Sequence, residues 1–99
     1  MPLTPIVFTR AARAELLAAQ DWYEAEREGL GTRFRASVDA TVQRIAENPL
    51  QFPAVYREVR RALIRRFPYS VLYVVETNGV TVIACFHASR DPRQWQRRV

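Results

Sequence analysis

An Asn-Gly pair at 78–79, set between two apolar runs, constrains this chain more than any other feature. The runs, 69–77 (YSVLYVVET) and 80–87 (VTVIACFH), are rich in Val, Ile, Tyr and Phe. β-Branched and aromatic side chains pack well on a pleated surface. Asn and Gly both tolerate the positive φ that a two-residue type I′ turn needs. The pattern predicts an antiparallel hairpin with Asn78 and Gly79 as its loop. Thr77 then faces Val80, Tyr73 faces Ala84, Leu72 faces Cys85, Val71 faces Phe86 and Ser70 faces His87. Side chains alternate across a strand. One face carries Val71, Tyr73, Val75, Val82, Ala84 and Phe86; the other carries Ser70, Leu72, Val74, Ile83, Cys85 and His87. Both are apolar near the centre, so both are expected to be covered. Polarity enters at the far end, with His87, Ser89, Arg90 and Asp91. Chemistry or recognition is expected there.

The other elements follow in chain order. Residues 6–8 read as an edge strand, broken off from what precedes by Pro5. Thr9 is placed to cap a helix over 10–28, whose stripe is Ala12, Leu16, Ala19 and Tyr23, with Leu17 and Trp22 beside it. Gly29-Leu30-Gly31 stops that helix. A second, over 32–47, has Phe34, Val38, Thr41, Val42 and Ile45 as its stripe and Asn48-Pro49 as its end. Residues 49–56 read as an irregular link pinned by Leu50 and Phe52, then a strand at 59–65, a turn at Phe67-Pro68 and the hairpin. Residues 88–99 are expected to run over the surface. The prediction is one α+β domain over 1–99, ordered β-α-α-β-β-β, with a helical hairpin packed on a small antiparallel sheet.

Length and composition narrow the function classes. Ninety-nine residues, 48% hydrophobic and 25% charged, suit one modest core. No apolar run approaches the roughly 20 residues of a membrane span. The N-terminus lacks the basic-then-apolar order of a signal peptide. A cytoplasmic protein is expected, needing no cofactor. The single Cys85 reads as a small core residue, and one Cys with one His excludes a structural zinc site. The net charge is +5, and all fifteen basic residues are Arg. Residues 57–66 hold five Arg against one Glu, and 90–98 hold four Arg against one Asp. A domain this basic on its C-terminal half calls for an acidic partner or nucleic acid.

Few residues offer chemistry. His87, the only histidine, suits acid–base work in RNA cleavage, with Arg65, Arg66 and Arg90 as cations for the phosphorane charge. The plainer assignment is a strand-end histidine bonded to Ser70 or to backbone. Arg60, Arg61, Arg65 and Arg66 flank Ala62-Leu63-Ile64. In an extended strand Arg61 and Arg65 share one face and Arg60 and Arg66 the other. They suit either a groove for phosphates or an acidic segment, or an edge charged against aggregation. Trp95 either stacks on a base or folds back on the sheet. Trp22 and Tyr23 are assigned to the core. Glu15, Asp21, Glu24, Glu26 and Glu28 are assigned to a solvated helix face.

The stretch L-x-R-R-F-P-Y-S-V-x-Y from Leu63, then Asn78-Gly79, then A-x-F-H-x-x-R-D-P-x-x-W from Ala84, resembles the toxins of RelE/ParE-type toxin–antitoxin modules. Arg33, Phe34, Arg35, Val38, Ile45 and Pro49 resemble the family's second helix and its exit. The resemblance implies a cytoplasmic growth-arresting protein neutralised by a small acidic antitoxin. It also implies one of two targets, or else a family member that has lost toxicity and persists as a binding partner. The RelE branch cuts mRNA on the ribosome and usually carries Arg in a Y-R-L-x-Y segment; Ser70 stands at that position here. The ParE branch inhibits DNA gyrase and needs no catalytic residues. Ser70, the C-terminal motif and the helical hairpin favour the ParE branch. A nuclease would use His87, Arg65 and Arg90. The partner surface expected in either case is Arg60, Arg61, Arg65, Arg66, Arg90 and Trp95.

Overall fold

Thr9 closes the first strand and opens the first helix. A computed structural model describes residues 3–99. In it β1 (Ile6–Phe8) leads into α1 (Arg10–Glu26), and the Thr9 hydroxyl accepts the Ala12 N–H at 3.1 Å. That bond satisfies one of the unpaired donors of the first turn. The expected stripe of Ala12, Leu16, Ala19 and Tyr23 is buried. Helix α2 (Leu30–Glu47) starts two residues earlier than expected. Gly29, at φ 86°, makes the break alone, and Gly31 lies inside the helix. A Cβ on Gly31 would stand 2.6 Å from the Gln20 carbonyl oxygen, so this glycine lets the helices touch.

Glu24 caps the second helix from outside it. Its carboxylate accepts the Gly29 N–H at 2.9 Å and the Gly31 N–H at 3.0 Å. A negative group at a helix N-terminus is favourable. Glu24 is therefore structural, not merely a solvated side chain. Trp22 departs the other way: it is 58% exposed and lies outside the core to which the sequence assigned it. Its neighbour Tyr23 takes the inward position, within a cluster of Phe34, Phe67 and Tyr69.

Beyond α2 come β2 (Ala54–Tyr56), β3 (Val59–Leu63), β4 (Tyr69–Glu76), β5 (Gly79–His87) and α3 (Arg93–Gln96). The sheet order is β1-β5-β4-β3-β2. β1 pairs parallel to β5, so the sheet is mixed rather than antiparallel throughout. Part of the expected irregular link forms β2, a three-residue strand paired with β3. Phe52 packs against the core, but Leu50 is exposed and pins nothing.

The hairpin register differs from the expected one twice. The loop residues are Thr77 and Asn78, and Gly79 pairs with Glu76 inside the ladder. Gly79 is drawn in by β1: the Pro5 carbonyl accepts the Val80 N–H at 2.9 Å. A Cβ on Gly79 would stand 2.6 Å from that same oxygen. The second difference is a bulge opposite Leu72–Tyr73, where Leu72 pairs with Ala84 and Tyr73 with Val82. A bulge puts one extra residue on one strand, here Ile83. Each later side chain of β5 therefore changes face. Ser70 pairs with Phe86, and Tyr69 with His87. The expected Ser70–His87 pair does not form, and the two occupy opposite faces.

Both sheet faces are covered near the centre. The helices lie over Val71, Tyr73, Val80, Val82 and Cys85. On the other face Trp95 joins Val59, Leu72, Ile83, Ala84 and Phe86. Residues 88–99 thus do more than cross the surface: they bring α3 and its Trp95 onto the sheet.

Candidate functional site

β1 pairs with β5 only as far as Val82, which leaves residues 83–87 without a strand neighbour on that side. Side chains fill part of the gap. Glu15 of α1 accepts the Cys85 N–H at 3.1 Å. It also grips Arg98 through two bonds, of 3.0 and 2.7 Å. Arg98 in turn donates to the Ile83 carbonyl at 2.8 Å. One ion pair therefore closes the strand edge and ties the C-terminal tail to α1. Glu15 is not a solvated side chain, contrary to the sequence assignment. The bond to Glu15 raises the Arg98 pKa. Burial, followed by the Glu15 charge, pushes the Cys85 thiol up to about 12, so it stays protonated and inert.

Past this clamp a groove of about 630 Å³ runs between α1 and the ends of β4 and β5. Ala14, Ala18 and Trp22 form its helix wall, Tyr69 and His87 its sheet wall, and Arg90 lies at its rim. Ala14, Ala18 and Trp22 recur every fourth residue, which aligns them along one face of a helix. The His87 ring stands edge-on to Tyr69, with centroids 5.0 Å apart. Its Nδ1 accepts the Ser89 N–H at 3.0 Å. In the neutral ring that bond leaves the proton on Nε2, so the free nitrogen donates rather than accepts. His87 bonds to backbone, as one assignment expected, and the residue it engages is Ser89.

The arginines do not form one surface. Arg60 lies on the helix side and donates to the carbonyls of Leu50 and Phe52, at 3.3 and 2.6 Å. It holds the β2 link in place. β3 ends at Leu63, so Arg65 and Arg66 sit in a turn, Arg66 at φ 72°. Arg61 and Arg65 therefore do not share a strand face. Arg66 lines a separate hollow beside Arg33 of α2. Arg90 stacks on Phe86, 4.5 Å from the ring centroid, and donates to Gln94 at 2.6 Å.

What the fold does bring together lies on the sheet face away from the helices. Arg61, Ser70, Phe86, Arg90 and Trp95 line a small pocket of about 140 Å³, with His87 at its edge. Trp95 is 5% exposed and meets Tyr56 edge-on. It presents no open ring face on which a base could stack. The groove along α1 is the feature that sequence reasoning missed. The exposed Ala14-Ala18-Trp22 spacing was visible, but helical spacing alone does not separate a core stripe from an open one.

The family described as "ParE toxin of type II toxin-antitoxin system, parDE" matches residues 6–92 of this chain. Among solved structures, a chain titled "Chromosomal ParDE TA system from P. aeruginosa" has the same fold, with a TM-score of 0.77 at 19% identity. The match covers 88% of this chain and 98% of that one. No curated protein matches.

Proposed function

Because this chain belongs to the ParE family of type II toxins, we propose that it arrests growth by binding DNA gyrase and is neutralised by a small acidic antitoxin. Both events belong to the cytoplasm. The family match over residues 6–92 carries this proposal. The geometry supports a binding role over a catalytic one. Arg65 lies in a turn, and neither pocket lined by His87 includes Arg65. Ser70 also stands where the RNA-cutting branch usually carries Arg.

The antitoxin reading draws on the groove. Its small, apolar helix wall suits an apolar segment, and Arg90 at the rim suits an acidic residue on that segment. Antitoxin segments of this kind fold as they bind, so their affinity depends on how much apolar surface they cover. The test is co-expression with the small acidic protein that this reading expects to be encoded beside the chain, followed by purification. Ala18→Arg, which fills the groove on an exposed helix face, should abolish co-purification while the melting temperature is unchanged. Arg10→Glu, on the same helix away from the groove, should leave the complex intact. Equal binding by all three proteins would place the antitoxin elsewhere.

A further inference from the structure

We propose that the small pocket on the sheet face away from the helices is a socket for one acidic side chain of a protein partner. It adjoins the groove along α1, sharing His87 and Arg90 with it, but opens on the other side of the sheet and concerns a second contact. Four observations build it. Ser70 is 7% exposed, yet its hydroxyl has no hydrogen-bond partner among the described residues. The oxygen is not sealed in the core, since no wholly buried side-chain oxygen there lacks a partner, so it opens to the pocket. Arg61, on the neighbouring strand and the same face, makes no ion pair among the described residues. Arg90 adds a second guanidinium, engaged among the described residues by Phe86 and the neutral Gln94. The neighbouring Asp91 is already held by Arg93 at 2.7 Å.

The donor set selects an oxyanion. A guanidinium fork and a hydroxyl match the acceptor positions of a carboxylate. The walls select its carrier. Leu72, Phe86 and Trp95 are apolar and suit the methylene stem of Glu or Asp. Leu63, on the same strand face as Arg61, is 65% exposed and extends the apolar rim. Buried apolar contacts around a charge-assisted bond are the usual make-up of a protein–protein anchor. A nucleic acid would want an open aromatic face, and Trp95 gives none.

Trp95 also supplies the readout. The chain has two tryptophans, and Trp22→Phe on the exposed helix face leaves Trp95 alone. In that background sodium acetate is titrated against chloride at constant ionic strength, and Trp95 fluorescence is followed. The socket predicts a saturable change in the millimolar range. Arg61→Gln should weaken it about tenfold, the expected loss for a charge-assisted bond. Ser70→Ala should weaken it several-fold. Neither side chain has a partner to lose among the described residues, so melting temperatures should hold. Arg66→Gln, outside the socket, should bind like the parent. No saturation, or saturation that survives Arg61→Gln, overturns the proposal. Binding of inorganic phosphate or a trinucleotide at least tenfold tighter than acetate also overturns it, and makes nucleic acid the ligand. None of these outcomes depends on toxicity or on the antitoxin.

Discussion

Glu15→Ala should be the most damaging single change of charge in this protein. Glu15 and Arg98 side chains are 15% and 28% exposed, so the pair is well shielded. The substitution removes two charge-assisted bonds and the acceptor that Glu15 offers the Cys85 N–H. An unsatisfied, part-buried donor costs about 1–3 kcal/mol, and a stranded guanidinium adds to it. We expect a loss of about 2–4 kcal/mol. Arg98→Ala should cost less, about 1–2 kcal/mol, because Glu15 keeps the Cys85 N–H. A double-mutant cycle by urea unfolding should then give a coupling of about 1–2 kcal/mol. In a domain of this size each kcal/mol moves the melting temperature by about 4–8 °C, so Glu15→Ala should melt at least about 8 °C lower, and by up to about 32 °C at the top of that range. A coupling below about 0.3 kcal/mol would make the pair an ordinary surface contact. It would also refute the assignment of Glu15 and Arg98 as the closure of the β5 edge.

Other perturbations test other parts of the structure. The Cys85 thiol sits at about 12 in the fold, while an unfolded thiol releases its proton near 8.5. Above that lower value the unfolded state binds fewer protons, so stability should be unaffected below about pH 8 and fall as pH rises toward 12. Urea midpoints across that range check this, and a flat profile would contradict the burial of Cys85. Gly31→Ala should destabilise by about 1–3 kcal/mol, since its Cβ meets the Gln20 backbone oxygen at 2.6 Å. Thermal melts would show any gain that contradicts the contact. Glu24→Ala removes the α2 cap and should cost about 1 kcal/mol, read from the same melts.

Local signals in the sequence located most of the elements, and long-range ones were out of reach. Thr9, Gly29 and Asn48-Pro49 mark the helices because capping and breaking are local. Asn78-Gly79 marks the hairpin, but its register depends on the Pro5 carbonyl, more than 70 positions upstream. The bulge at Ile83 leaves no mark in an unbroken apolar run. That single residue separates Ser70 from His87 and changes which side chains share a site. Arg60 looked the same as Arg61 because adjacent strand residues point to opposite faces; only the fold shows that one is spent on the Leu50 and Phe52 carbonyls. Glu15 and Arg98 lie 83 positions apart, so neither betrayed the other. The family was legible because its motifs are spread along the whole chain.

The most direct test is induction of the chain in cells that lack the antitoxin, with DNA breakage and mRNA 5′ ends followed in the same culture. A ParE-type mode of action predicts DNA breaks that disappear in a host with resistant gyrase. It also predicts intact mRNA, and an unchanged outcome for His87→Ala. Codon-spaced mRNA cuts that His87→Ala abolishes, with undamaged DNA, would contradict the account and make the protein a ribosome-dependent nuclease.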